Sequence, residues 1–272
     1  MNPTMKTTLF TIVFGVFLIS CNTKPENQVK KSEQQIEEVG TQKNNLPKSL
    51  EKVLEAHGGL ERYKTQNTLS FTLPKPDNPE LHVIDLKHRK DRIETPKYDL
   101  GFDGENVWTL AKEEAFSGNP EFYHNLMFYF FNMPFVLADK GIIYSHTNDL
   151  IVNEKIYPGI AIQFKDGVGA SSKDQYYLHY DPNTYKMEWL GYTVTYRTGE
   201  VSDKVSWIHY KEWANVNHFL LPKAISWHKT EGGNIQEERN TVVFESITIS
   251  DAKKPNSFYK KPNDGIFWVK PE

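Results

Sequence analysis

Cys21 is the residue whose type and position most clearly indicate covalent chemistry. It is the only cysteine among 272 residues. An apolar run from Leu9 to Ile19 precedes it, with the basic Lys6 before the run and the small Ser20 directly before the thiol. A basic residue, an apolar stretch too short to span a bilayer and a small residue are typical of a secretory signal peptide. The sequence therefore predicts a signal peptide over residues 1–20.

The four residues Leu18-Ile19-Ser20-Cys21 resemble the bacterial lipobox. The resemblance implies that the chain is cleaved before Cys21 and that the cysteine is diacylated, which would attach the protein to a membrane. An ordinary secreted protein with a chance cysteine is the alternative, although exposed free thiols are otherwise avoided. Asn22, rather than an aspartate, follows the cysteine, and by analogy with lipoprotein sorting this favours the outer membrane. We therefore expect a lipid-anchored protein of the cell envelope, on the periplasmic face or the surface of the outer membrane.

The sequence contains none of the common motifs of enzymatic catalysis or cofactor binding. It has no G-x-S-x-G, no H-E-x-x-H and no dinucleotide-type glycine pattern. None of its nine histidines forms a close pair with the spacing of zinc ligands. The formal net charge is −3, and no basic patch suggests nucleic acid. These observations predict a protein without catalytic residues, cofactor or metal. The third hypothesis is an enzyme whose catalytic polar groups come together only in the folded structure.

The segment from Asn119 to Asn132 is the best candidate for binding an apolar molecule. Asn119 can cap a helix, Pro120 suits the first helical position, and the residues that follow are apolar on almost every side. A helix that is apolar all round is buried or faces lipid. Pro134 must end or kink this helix, because proline lacks the backbone donor and clashes with the preceding turn.

Two interpretations of this aromatic segment are open. Its side chains fill the centre of a core, or they line or gate a cavity, for which flexible methionine and flat rings are suited. In the second case the ligand-binding residues are Phe122, Leu126, Met127, Phe130, Met133 and Phe135. The candidates for the opposite walls are Trp108, Trp189, Tyr192 and Trp207.

The elements around this segment read as strands separated by turns. Leu69, Phe71 and Leu73 alternate with polar residues, and Asp103-Gly104 is typical of a hairpin turn. Short connections make neighbouring strands antiparallel. We count roughly ten or eleven strands and two or three helices, which favours an α+β fold, mainly antiparallel β, in which a curved sheet wraps on helices. Residues 21–45 are too polar to form a core and are expected to be a disordered tether, and residues 46–272 are expected to form one domain.

Five short motifs, taken together and in order, resemble the LolA-like superfamily of bacterial envelope proteins, and more narrowly an uncharacterised lipoprotein family common in Bacteroidetes. The motifs are Ala56-His57-Gly58-Gly59-Leu60-Glu61-Arg62-Tyr63, Phe102-Asp103-Gly104-Glu105-Asn106-Val107-Trp108, Asp181-Pro182-Asn183-Thr184, Leu221-Pro222-Lys223-Ala224-Ile225 and Phe258-Tyr259-Lys260-Lys261-Pro262. The resemblance covers nearly all of residues 47–265. It implies an unclosed, strongly bent β half-barrel whose concave face holds helices and an apolar cavity.

In relatives of this superfamily the cavity carries acyl chains of lipoproteins or other lipids. The resemblance therefore implies a non-catalytic envelope lipoprotein that binds a lipid or another long apolar molecule. Because lipidation is predicted, holding or receiving a lipid near a membrane fits better than shuttling it. The alternative is a periplasmic or surface interaction module with a filled half-barrel, whose outer face binds an envelope protein or a glycan.

Overall fold

The computed structural model describes residues 46–165, 173–195, 202 and 204–270. The predicted signal peptide, Cys21 with its predicted acylation, and the predicted tether all lie outside the described residues. In the part of the chain that is described, no helix is long and apolar enough to cross a membrane.

The helices are short and pack on the sheets. The α-helices are α1 (Lys48–Ala56), α2 (Leu60–Tyr63), α3 (Pro120–Tyr123), α4 (Leu126–Phe131) and α5 (Asn256–Tyr259), and a 3₁₀ helix covers Phe135–Ala138. In α1, Leu50, Val53 and Leu54 are buried. Their spacing of three and four residues places them on one face, so α1 covers the core as an amphipathic helix.

The first sheet has seven strands in the order β15-β1-β2-β3-β4-β5-β16. These are β1 (Thr68–Leu73), β2 (Glu80–Asp85), β3 (Asp91–Glu94), β4 (Tyr98–Phe102), β5 (Val107–Ala111), β15 (Glu245–Ser250) and β16 (Ile266–Phe267). Leu69, Phe71 and Leu73 of β1 are at most 4% exposed. Because side chains alternate along a strand, these three residues share the face that packs on the core.

The second sheet also has seven strands, in the order β14-β13-β12-β11-β10-β9-β6. These are β6 (Ile142–His146), β9 (Gly159–Phe164), β10 (Tyr176–Tyr180), β11 (Met187–Tyr192), β12 (Ser206–Val216), β13 (Phe219–Glu231) and β14 (Asn234–Val243). A separate hairpin pairs β7 (Leu150–Val152) with β8 (Lys155–Tyr157). Every strand pair in the described residues is antiparallel.

Phe244 is the point at which the chain passes from one sheet to the other. It separates β14, which pairs with β13, from β15, which pairs with β1. Its side chain is 1% exposed, and its N–H donates to the Lys223 carbonyl at 2.9 Å. At the far edges, β16 and β6 have no strand pairing with each other in the described residues. The fold is therefore an unclosed, mainly antiparallel β half-barrel on helices, as the sequence predicts. The sixteen strands in the described parts of the chain exceed the predicted number, and β7, β8 and β16 among them are only two or three residues long.

The turn between α1 and α2 joins the helices to the second sheet through His57. The His57 Nδ1–H donates to the Leu220 carbonyl at 3.1 Å, and the Met187 N–H donates to His57 Nε2 at 3.0 Å. The next residue, Gly58, has a φ of +114°, and a β-carbon there would lie 2.5 Å from the His218 carbonyl oxygen. Only glycine fits this close approach of the turn to the sheet.

The predicted helix from Asn119 to Asn132 is broken into α3 and α4. Asn119 caps α3 as predicted, because its side chain accepts the Phe122 N–H at 3.3 Å. The break follows two contacts with the first sheet: the Tyr123 hydroxyl donates to Glu80 at 2.7 Å, and His124 contacts Asp91 at 2.5 Å. These buried contacts outweigh the weak preference of the local sequence for one continuous helix.

Candidate functional site

A pocket of about 300 Å³ lies between α2, the turn from β2 to β3, and the 3₁₀ helix with the residues that follow it. This volume is at the lower end for small-molecule sites, which occupy about 300–1,000 Å³. The apolar part of its lining consists of Leu60, Tyr63, Leu86, Phe135 and Ala138.

Tyr63 and Phe135 stack on each other in the apolar lining, which we call the floor of the pocket. Their rings are stacked, with centroids 4.3 Å apart and planes 5° apart. Phe135 also contacts Phe219 edge-on at 5.8 Å, and Asn132 Nδ2 donates to the Tyr63 hydroxyl at 2.6 Å. Burial raises the pKa of Tyr63, and the nearby charge of Arg89 opposes this effect. The two stacked rings therefore form an uncharged aromatic part of the floor.

The polar part of the lining consists of Lys64, Lys87, Arg89, Asp139 and Lys140. Arg89 Nη2 donates to both carboxylate oxygens of Asp139, at 2.8 and 2.7 Å. Partial burial raises the pKa of Asp139, although the Arg89 guanidinium acts in the opposite direction. The arrangement has an apolar floor and a charged rim, which suits an amphiphilic ligand.

The structure brings most of the predicted residues of the aromatic segment into one core cluster. Met127, Phe130, Met133 and Phe135 are at most 8% exposed, and Leu126 is partly buried against the same cluster. Phe122 is 38% exposed and lies at the surface. Of these six residues, Phe135 lines the pocket described above.

The residues predicted for the opposite walls separate into two groups. Tyr192 packs on the core cluster and lies 5.3 Å from Phe130, ring centroid to ring centroid. Trp108, Trp189 and Trp207 lie outside that cluster. Trp108 is buried, and its Nε1–H donates to the Tyr259 carbonyl at 2.9 Å.

Trp189 and Trp207 lie on the face of the second sheet that points away from the core cluster. Trp189 stacks on His209 at 4.3 Å, and Trp207 lies 5.5 Å from His179. Trp189 is 3% exposed, so its indole packs among side chains of that face. The structure thus does not bring these two tryptophans to the aromatic segment.

Of the described pocket residues, Phe135 is the one that the sequence predicts. The lining belongs to three segments, residues 60–64, 86–89 and 135–140, which are distant in the chain. Two local signals point to part of the set: the basic run from Lys87 to Lys90 follows directly after a strand, and Leu60 and Tyr63 have helical spacing.

A second group of titratable residues lies buried under α3, away from the pocket. Glu80 is 0% exposed and accepts hydrogen bonds from Tyr123 at 2.7 Å and Lys75 at 2.7 Å. His82 lies 3.4 Å from Glu80, and Asp91 pairs with His124. Through Tyr123 and His124, these contacts join α3 to β2 and β3 of the first sheet. Within the described ranges, no group of three or more histidines and acids is arranged to hold a metal ion.

A family model described as a family of unknown function, DUF6503, matches residues 108–237. No curated protein matches the chain. The matched range begins at Trp108 in β5 and ends in β14, so it includes the aromatic segment and most of the second sheet.

Several solved structures are similar to this chain. A DUF1329 family protein from Desulfovibrio piger ATCC 29098 is 8% identical, with a TM-score of 0.45 over 78% of this chain and 95% of that one. A LolA superfamily protein from Nitrosomonas europaea is 9% identical, with a TM-score of 0.44 over 77% of this chain and 96% of that one. A domain named for outer membrane lipoprotein sorting, from Vibrio parahaemolyticus, is 10% identical, with a TM-score of 0.33 over 82% of this chain and 95% of that one. The Nitrosomonas europaea structure is named for the LolA superfamily, which is also the superfamily that the sequence motifs resemble.

Proposed function

We propose that this protein is a non-catalytic envelope lipoprotein that holds a lipid or another long apolar molecule. In this proposal, acylated Cys21 anchors the chain to the outer membrane, and the half-barrel domain receives the ligand close to that membrane. The observation that carries the proposal is the pocket of about 300 Å³, whose apolar floor includes Phe135.

The floor of the pocket shares one residue with the core cluster. Phe135 lines the pocket and belongs to the cluster that contains Met127, Phe130 and Met133. A chain that lies on Tyr63 and Phe135 buries its methylene groups against this floor. Each methylene group buried in this way contributes about 0.8 kcal/mol to binding.

The pocket offers binding without a chemical step. Its charged groups are cations and Asp139, which is paired with Arg89. Among the described residues, no serine, threonine or histidine lines it. The described lining therefore has no serine–histidine pair of the kind that acyl-transfer enzymes use.

Filling the pocket tests the proposal. Ala138 lines the pocket in the 3₁₀ helix, and we expect Ala138→Trp to weaken binding of a fluorescent fatty-acid probe by about tenfold or more, because the indole occupies space that the chain needs. Ala115→Trp is the matched control, since Ala115 is exposed in the loop between β5 and α3. Thermal unfolding of both variants shows whether the fold is retained.

Native mass spectrometry of protein purified from cell envelopes completes the test. We expect a bound lipid whose occupancy falls in Ala138→Trp and not in Ala115→Trp. Repeated recovery of empty protein that also ignores the probe would contradict lipid binding. An empty protein that crosslinks in cells to another envelope protein would favour the interaction module instead.

A further inference from the structure

The rim of the pocket concentrates positive charge in a chain that is acidic overall. Among the lining residues that the structure describes, Lys64, Lys87, Arg89 and Lys140 are cations, and Asp139 is the single anion. The whole chain has a formal net charge of −3. An excess of one sign at the mouth of a cleft attracts ligands of the opposite sign.

The turn between β2 and β3 fixes two of these cations at the mouth. Asp85 Oδ1 accepts the N–H groups of Lys87 at 2.8 Å and of His88 at 3.1 Å, and the Arg89 N–H donates to the Asp85 carbonyl at 2.8 Å. Arg89 has a φ of 58°, in the left-handed region that non-glycine residues rarely adopt. The turn holds this backbone, and from it Lys87 and Arg89 reach the pocket lining.

Because Arg89 and Asp139 form an ion pair and neutralise each other, the net charge of the rim comes from its lysines. Lys64 Nζ donates to Glu61 at 2.7 Å, but Glu61 is 86% exposed, so water screens that pair strongly. Lys87 and Lys140 are exposed at the mouth. The net charge that a ligand meets there is therefore positive.

We propose that the ligand is an amphiphile with an acidic head group, a carboxylate or a phosphate, and this inference rests on the lipid-binding function proposed above. The head group lies against Lys87 and Lys140, which both line the pocket. The chain lies on the floor formed by Tyr63 and Phe135.

Calorimetry with four amphiphiles of equal chain length tests the inference: laurate, dodecyl phosphate, dodecanol and dodecyltrimethylammonium. We expect at least one of the two acids to bind about tenfold tighter than the alcohol, and the cation to bind weakest, because two lysines act on the head group. The tighter of the two acids identifies the head group. High salt reduces the advantage of the acids, since it screens exposed charges.

The double variant Lys87→Gln with Lys140→Gln removes the two exposed charges. We expect it to bind the acids about as weakly as it binds the alcohol. Lys229→Gln is the matched control, because Lys229 pairs with Glu237 at 2.6 Å on the exposed hairpin of β13 and β14. If acids and alcohol bind equally to the wild type, or if the double variant keeps the preference, the acidic head group is overturned while lipid binding stands. If no amphiphile binds the wild type, the proposed function itself fails.

Discussion

His57 shows how one side chain can join two parts of this fold. It is 0% exposed, and its two ring nitrogens bond to β13 and β11, through the Leu220 carbonyl and the Met187 N–H. Because Nδ1 donates and Nε2 accepts, the ring must be neutral. Burial lowers the pKa of His57 from 6.5 to about 4.

This pKa predicts a loss of stability in mild acid. The unfolded chain takes up a proton on His57 as the pH falls below 6.5, whereas the folded chain does so only near pH 4. The free energy of unfolding should therefore fall between pH 6.5 and 4, by on the order of 3 kcal/mol from this residue. Urea unfolding at several pH values measures it.

The variant His57→Gln should be less stable at neutral pH and should show a smaller loss over the same interval. His146→Gln serves as its control, since His146 is exposed on β6. An unchanged pH dependence in His57→Gln would show that the ring does not stay neutral in the fold.

The contacts of single side chains could not be predicted from this sequence. His57 has the spacing of a residue on the apolar face of α1, and a side-chain period reports which face is buried but not which groups bond across the molecule. The sequence makes Trp189 and Trp207 candidates for a cavity wall. The alternation along a strand shows that it has two faces, but it does not show which face points inward. The structure places both on the face away from the aromatic segment.

At the scale of elements, α3 is attached to the first sheet by buried acids. Burial disfavours the charged form of Glu80, but hydrogen bonds from His82, Lys75 and Tyr123 together outweigh it and lower the pKa of Glu80 from 4.5 to about 2. Because the fold stabilises the charged form of Glu80, protonation of this carboxylate weakens the attachment of α3.

We expect this attachment to weaken in strong acid. Since the pKa of Glu80 is lower in the fold than in the unfolded chain, its stabilising effect is complete above pH 4.5 and is lost as the pH falls towards 2. The free energy of unfolding should fall by on the order of 3 kcal/mol over this interval. Near-UV circular dichroism during acid titration measures it.

Glu80→Gln should show a smaller dependence on pH in that range, whereas Glu61→Gln, at a side chain that is 86% exposed, should behave like the wild type. Equal acid curves for Glu80→Gln and the wild type would contradict the role of the carboxylate.

The elements themselves were predictable where the pattern is local. The cap at Asn119 and the alternation in β1 follow from neighbouring residues and are confirmed. The bulge at Glu188 was not predictable. His179 pairs with Trp189 and Tyr180 pairs with Met187, so Glu188 is an extra residue in β11. As a result Met187 and Leu190, three residues apart, both face the core, which a strict period of two does not allow.

At the scale of the whole molecule, the bend of the half-barrel places distant segments next to each other. The chain changes sheets at Phe244, between β14 and β15, and the pocket combines α2, the turn from β2 to β3, and the 3₁₀ helix. The fold class follows from turn chemistry and the family resemblance, since both are read along the chain. The pocket depends on contacts between remote segments, which a single sequence does not contain.

Photo-crosslinking with a fatty acid that carries a diazirine in its chain tests the binding site most directly. Peptide mass spectrometry locates the modified residues after irradiation. We predict crosslinks in the segments 60–64, 86–89 and 135–140, with competition by unlabelled fatty acid and a loss of labelling in Ala138→Trp. Labelling spread over the outer faces of the sheets, or no labelling that unlabelled fatty acid displaces, would contradict the proposal that this pocket holds the ligand.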